Sequence, residues 1–156
     1  MTSNAQPLTG STSLTIDRPV AEVFAAVTDI ERMGEWSPEC VACRWADGVD
    51  GPAVGAAFSG DNVAKAGPLT LKRWTTSSEI TGYEPEAVFE FVAEDYSTWR
   101  YEFTAGDGST VVTESFSFPS PTGVQKFLYE TMMRRSKSMV KGMDATLERL
   151  KATLEA

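Results

Sequence analysis

The chain changes hydrophobic period once along its length, and that change limits what it can fold into. From about residue 41 to residue 118, apolar residues recur at every second position in short runs broken by turn residues. Val41, Cys43 and Trp45 alternate with Ala42, Arg44 and Ala46, and Asp47-Gly48 with Asp50-Gly51-Pro52 closes that run. Further strands are expected at 56–62, 71–81 and 87–92, separated by Ala66-Gly67-Pro68 and Glu84-Pro85-Glu86. Trp99, Tyr101 and Phe103 alternate with Thr98, Arg100 and Glu102, and Asp107-Gly108 signals a hairpin into 110–118. Six runs joined by short turns predict an antiparallel meander.

From Thr122 onward there is no proline, and Phe127, Leu128, Met132, Met139, Met143, Leu147, Leu150 and Leu154 keep a helical period. A helix of about 30 residues is roughly 45 Å long and must lay that stripe on the sheet. Upstream, Ser13 to Asp17 alternates like a half-buried strand, and Pro19 suits the first turn of a helix carrying Val23, Phe24 and Val27. A second short helix over 29–36 is stopped by Ser37-Pro38, because a residue before proline avoids the α region. The order predicts an α+β fold: a curved seven-stranded antiparallel sheet around one long C-terminal helix, with two short helices after the first strand. Residues 1–11 are expected to be a flexible tail and 12–156 a single domain with one core.

Composition removes several kinds of chemistry. There is no histidine among the 156 residues, which excludes Ser-His-Asp and Cys-His nucleophile activation and histidine metal ligands. With 22 acidic and 14 basic side chains the net charge is −8, which repels phosphate backbones and anionic lipid. No nucleic-acid partner, no metal and no cofactor is expected. No apolar run approaches the about 18 residues needed to span a bilayer, so no membrane insertion is expected. Met1 to Thr12 lacks the basic start and apolar stretch of a signal peptide, which reads as a cytoplasmic protein, a monomer or weak homodimer.

By strand phase, the face opposite the long helix is not uniformly aliphatic. Trp74, Thr76 and Ser78 share a phase with Ile80, and Glu114 shares one with Val112, Phe116 and Phe118. The helical stripe weakens at Arg135 and Ser136, flanked by the adaptable Met132 and Met139. Two readings follow: a partly hydrated pocket, or a filled core with satisfied polar groups.

The stretch Leu14 to Pro38, LTIDRPVAEVFAAVTDIERMGEWSP, resembles the opening of the START-like, or SRPBCC, superfamily, in particular its polyketide cyclase/dehydrase and lipid-transport branch. Trp74, Tyr83-Glu84-Pro85, Thr98-Trp99-Arg100-Tyr101 and Val112-Thr113-Glu114-Ser115 fall where that branch has similar residues. The resemblance implies the helix-grip architecture and a ligand cavity between sheet and helix. It also implies places near the cavity mouth for Trp36 and Asn62. The family holds carriers, cyclases and proteins of no known activity, so it implies no single function.

The expected ligand-binding set is therefore Trp36, Asn62, Trp74, Thr76, Ser78, Tyr101, Glu114, Met132, Arg135 and Met139, for a small hydrophobic or aromatic molecule such as a lipid or polyketide-like metabolite. Glu114 would orient a polar ligand group or act as a general base, or else pair with Arg135 or Tyr101. An aromatase/cyclase or dehydratase using Glu114 and Tyr101 is the alternative, and a protein-interaction module the third. Arg134-Arg135 reads as a solvated helix pair. The segment from Gly60 to Pro68 reads as a gate to the cavity or an ordinary hairpin. Cys40-Val41-Ala42-Cys43 is expected to be structural, since it enters a strand, where positions three apart face opposite ways.

Overall fold

The computed structural model describes residues 8–119 and 126–156, and of the long helix's first part, residues 126–133, 135 and 136, the backbone alone. Strands β1 (Leu8–Ile16), β2 (Cys40–Trp45), β3 (Ala57–Ala66), β4 (Leu69–Glu84), β5 (Val88–Ala93), β6 (Ser97–Ala105) and β7 (Thr110–Phe118) form one curved sheet in the order β1-β7-β6-β5-β4-β3-β2. Every pairing is antiparallel. Helix α1 (Val20–Thr28) and a 3-10 helix (Ile30–Glu35) follow β1, and helix α2 (Lys126–Glu155) ends the chain. This is the helix-grip α+β arrangement.

The turns follow from their residues. Gly67 takes a φ of +59° in the two-residue loop that lets Ala66 pair with Leu69. Pairing between β3 and β4 runs from Ala57 through Ala66, so the segment from Gly60 to Pro68 is hairpin throughout. Gly108 supplies the positive φ of the β6–β7 hairpin at the expected Asp107-Gly108 site. The 3-10 helix ends before Ser37-Pro38, whose Ser37 Oγ accepts from the Cys40 N–H at 3.0 Å and so starts β2.

The first strand begins at Leu8, earlier than the alternation of 13–17 shows, and pairs Leu8 with Phe118. Residues 8–11 are therefore sheet, and the expected tail boundary at residue 11 is corrected. Its inward phase is Leu8, Gly10, Thr12, Leu14 and Ile16, small or polar at two of five positions. A Cβ on Gly10 would sit 2.5 Å from the Phe116 ring and 2.9 Å from Val140 of α2. The missing side chain is what lets the helix pass, and it is also what hides the strand from a hydrophobic pattern.

Helix α2 is tied to β1 by Lys151 Nζ donating to Thr15 O at 2.9 Å and by Thr12 Oγ1 donating to Asp144. Its Leu147 and Leu150 enter the main core with Ile16, Val23, Phe24, Val27, Phe89, Phe103 and Val112. Met143 joins a second cluster with Leu8, Phe116 and Phe118. Both clusters lie between sheet and helix, and a cavity remains beside them.

Candidate functional site

The cavity measures about 520 Å³, the scale of a small-molecule site. Its sheet wall carries Asn62, Trp74, Thr76, Ser78, Phe91, Trp99, Tyr101 and Glu114, and its helix wall Met139, Gly142, Met143 and Thr146. Ser37, Pro38, Glu39, Glu94 and Tyr96 contribute from loops at its margin. Strand phase explains the sheet wall: alternate residues of β4, β6 and β7 point to one face, and register sets Tyr101 opposite Glu114.

Tyr101 and Glu114 are the polar centre. The Tyr101 hydroxyl donates to Glu114 Oε1 at 2.9 Å, and both side chains are buried. Glu114 Oε2 has no partner, and among the described residues no other buried side-chain oxygen or nitrogen shares that condition. Burial pushes the Glu114 carboxyl up to about 8, against the lowering effect of the Tyr101 hydrogen bond. Burial, then the Glu114 charge, raises the Tyr101 phenol well above its ordinary value. Glu114 is therefore mainly a neutral acid at pH 7. Since Oε1 accepts from Tyr101, the proton belongs on Oε2, the oxygen without a partner.

Asn62 is held by the sheet, its Nδ2 donating to Thr76 Oγ1 at 3.1 Å and to Gly60 O at 3.2 Å. Trp74 is half-buried, with Lys72 Nζ 5.5 Å from its ring centroid. Phe89 stacks on Tyr101 with centroids 6.3 Å apart, which braces the phenol from the neighbouring strand.

Seven of the expected residues, Asn62, Trp74, Thr76, Ser78, Tyr101, Glu114 and Met139, line this one cavity. Trp36 does not. It is buried in the core with the Arg32 guanidinium 5.1 Å from its ring, and its successors Ser37 to Glu39 reach the margin instead. The 3-10 helix turns the indole inward, an orientation with no strand or helix period to announce it. The expected roles of Met132 and Arg135 fall on side chains outside the described residues. Arg134 is exposed, as a solvated position should be.

Cys40 and Cys43 also line the cavity, against the expectation that they face opposite ways. The β2–β3 register shifts between Cys40 and Ala42, and this bulge turns both thiols to the buried face. No residue type signals that bulge. Sequence reasoning also missed Gly142 and Thr146, which carry little hydrophobic signal; Thr146 Oγ1 donates back to Gly142 O at 2.9 Å, so its hydroxyl is satisfied within the helix.

No group of three or more metal-ligating His, Cys, Asp or Glu side chains occurs among the described residues. No described helix is long and apolar enough to cross a membrane.

A sheet gripping a helix beside a cavity whose wall carries the buried Glu114 defines the helix-grip class of fold. The family model described as "Polyketide cyclase / dehydrase and lipid transport" matches residues 8–155, and the chain belongs to that family. Among solved structures it is similar to a Polyketide_cyc-like protein, Cgl2372, of Corynebacterium glutamicum, at 35% identity over 96% of this chain and 93% of that one, with a TM-score of 0.67. Protein NE0264 of Nitrosomonas europaea shares the fold at 17% identity, 95% and 94% coverage and a TM-score of 0.70. DynU16, described as a putative protein in the dynemicin biosynthetic locus, shares it at 18% identity and a TM-score of 0.63, this chain covering 47% of it and 95% of itself. No curated protein matches the chain significantly.

Proposed function

We propose that the protein binds a small, largely apolar or aromatic molecule carrying a carbonyl or comparable acceptor oxygen, held in the cavity with that oxygen on Glu114 Oε2. The observation that carries this reading is the unpartnered, buried Oε2 of Glu114, a side chain that lines the cavity together with aromatic and methionine side chains. A buried polar atom without a partner costs about 1–3 kcal/mol, a cost that a ligand acceptor removes on binding. Trp74, Trp99 and Phe91 supply flat faces for rings, and Met139 and Met143 supply a deformable opposite wall. Family membership and the biosynthetic-locus neighbour favour polyketide-like ligands within this class.

The test is thermal denaturation with and without a panel of hydroxylated and keto aromatic compounds, matched hydrocarbons and fatty acids. A ligand at 100 times its Kd adds about 2.7 kcal/mol of stability by mass action. Keto compounds should raise the melting temperature more than matched hydrocarbons, and Glu114→Leu should abolish that difference. If neither class shifts the transition, or hydrocarbons bind equally well, the proposal fails.

A cyclase- or dehydratase-type enzyme is the second reading. It is favoured by the same neutral carboxyl, because an acid with a pKa near the working pH polarises a carbonyl and donates a proton as charge develops. Glu114→Gln keeps the shape and a donor but no transferable acid. Under this reading the variant retains affinity and loses turnover; under simple binding it loses at most affinity.

A further inference from the structure

We propose that Cys40 and Cys43 form a redox-active dithiol site in the cavity wall, which closes reversibly to an intrachain disulfide when a peroxide enters the cavity. The two Sγ atoms are 2.9 Å apart, inside the contact distance of two sulfurs, on a strand whose register shifts between Cys40 and Ala42. A bond at about 2.05 Å needs an approach of less than about 1 Å, well within the give of two side chains. Both thiols are free, both are mostly buried, and both border the cavity, so a peroxide that enters the cavity meets them.

Their surroundings fit this chemistry better than packing alone. Facing the pair across the β2–β3 ladder is Gly60, where a Cβ would sit 3.3 Å from each Sγ. Its absence keeps the space in front of the sulfurs open. Met33 Sδ lies 3.7 Å from Cys43 Sγ, a third polarisable atom beside the pair, and Cys40 Sγ contacts Ala42 O at 3.6 Å. The two thiols are also unequal. The hydrogen bond between them lowers the Cys40 thiol below its ordinary value and, together with burial, raises Cys43.

The inequality assigns the roles. The Cys40 thiolate attacks one peroxide oxygen; the O–O bond breaks, Cys40 becomes a sulfenic acid, and the departing hydroxide takes a proton from solvent. The Cys43 sulfur then attacks the Cys40 sulfur; the S–S bond forms, the S–O bond breaks, and hydroxide leaves with the Cys43 proton as water. In sum two thiols are oxidised to one disulfide and one peroxide is reduced to two waters. This inference does not depend on what the cavity carries.

Reduced full-length protein treated with hydrogen peroxide, then alkylated with iodoacetamide, should show an intact mass lower by two hydrogens with neither cysteine alkylated. Dithiothreitol should restore two alkylatable thiols. Cys43→Ser should stop at a Cys40 sulfenic acid that dimedone traps, and Cys40→Ser should react at least about tenfold more slowly. The proposal is overturned if the folded wild type keeps two alkylatable thiols under peroxide that oxidises the urea-unfolded chain. It is equally overturned if the disulfide joins two copies. The wild-type mass measurement decides the matter even if a serine variant does not fold.

Discussion

The two ends of the space between sheet and helix are built from the same strands and the same helix, yet one is filled by the main core and the other keeps a cavity beside the smaller cluster of Leu8, Phe116, Phe118 and Met143. At the packed end Val112 of β7, Phe103 of β6 and Phe89 of β5 meet Leu147 and Leu150, and α1 adds Val23, Phe24 and Val27. Two residues along β6 and β7, Tyr101 and Glu114 face the cavity, and about one to two turns back along α2 the helix presents Met139, Gly142, Met143 and Thr146. The packed end has a second layer, because α1 folds over it: Phe24 lies edge-on to Phe103 with centroids 5.1 Å apart and also touches Tyr83. At the open end the loop from Ser37 to Glu39 borders the cavity. Stability and recognition are thus divided along the strands, and a two-residue step separates a residue that holds the fold from one that is available to a ligand.

Substitutions at the two ends should differ most in stability. Leu150→Ala, at a fully buried site, should lose about 2–5 kcal/mol in urea denaturation, since it removes both transfer free energy and packing partners. Met139→Ala borders space that already exists and should lose less than half as much. Equal losses would mean that the open end is collapsed in solution.

The pH dependence should come from the open end. Glu114 is raised from 4.5 to about 8 in the folded protein, so between those values the folded state holds a proton that the unfolded state has lost. Its contribution is complete below about pH 4.5, falls as pH rises, and levels off above about 8, a change on the order of a few kcal/mol. Glu114→Gln should flatten this slope and be more stable than the wild type at alkaline pH. A wild type whose stability does not decline across that window would show Glu114 to be hydrated.

Tyr101→Phe should act on the same carboxyl more gently. Removing the donor at 2.9 Å takes away the one interaction that lowers the Glu114 value, so the carboxyl should titrate higher, by about 1 pH unit, as read by its infrared stretch. No shift, or a downward one, would mean that the hydroxyl points elsewhere. The smallest effect belongs to the rim. Glu94 and Asp95 both have positive φ, +56° and +53°, in the β5–β6 turn beside the cavity. Asp95→Gly should relieve that strain and gain up to about 1 kcal/mol in thermal or urea melts, with ligand affinity unchanged. A loss of stability would mean that the Asp95 side chain is itself holding the turn.

Much of this was legible without coordinates, for specific reasons. Trp99-Arg100-Tyr101-Glu102-Phe103 is an uninterrupted alternation in a strand paired on both sides, so its phase survives folding intact. The long helix was legible because thirty residues give its period many repeats and no proline interrupts it. Where pattern reading failed, a local irregularity or a small residue was responsible. The Cys40–Ala42 bulge inverts the side on which Cys40 would otherwise point, Gly10 carries no signal, and Trp36 follows a 3-10 helix whose three-residue period gives too short a run to phase.

By itself the sequence determined the order of elements, the antiparallel meander, the long covering helix and the face on which Glu114 and Tyr101 lie, because these depend on periodicity and turn chemistry, which are local. The tertiary structure alone decided that Glu114 Oε1 is satisfied while Oε2 is not, that two cysteines three apart meet, and that one end of the grip is filled while the other keeps a cavity. Those outcomes depend on register, on a bulge and on where α1 lies over the sheet, distances between segments far apart in the chain that no local pattern encodes.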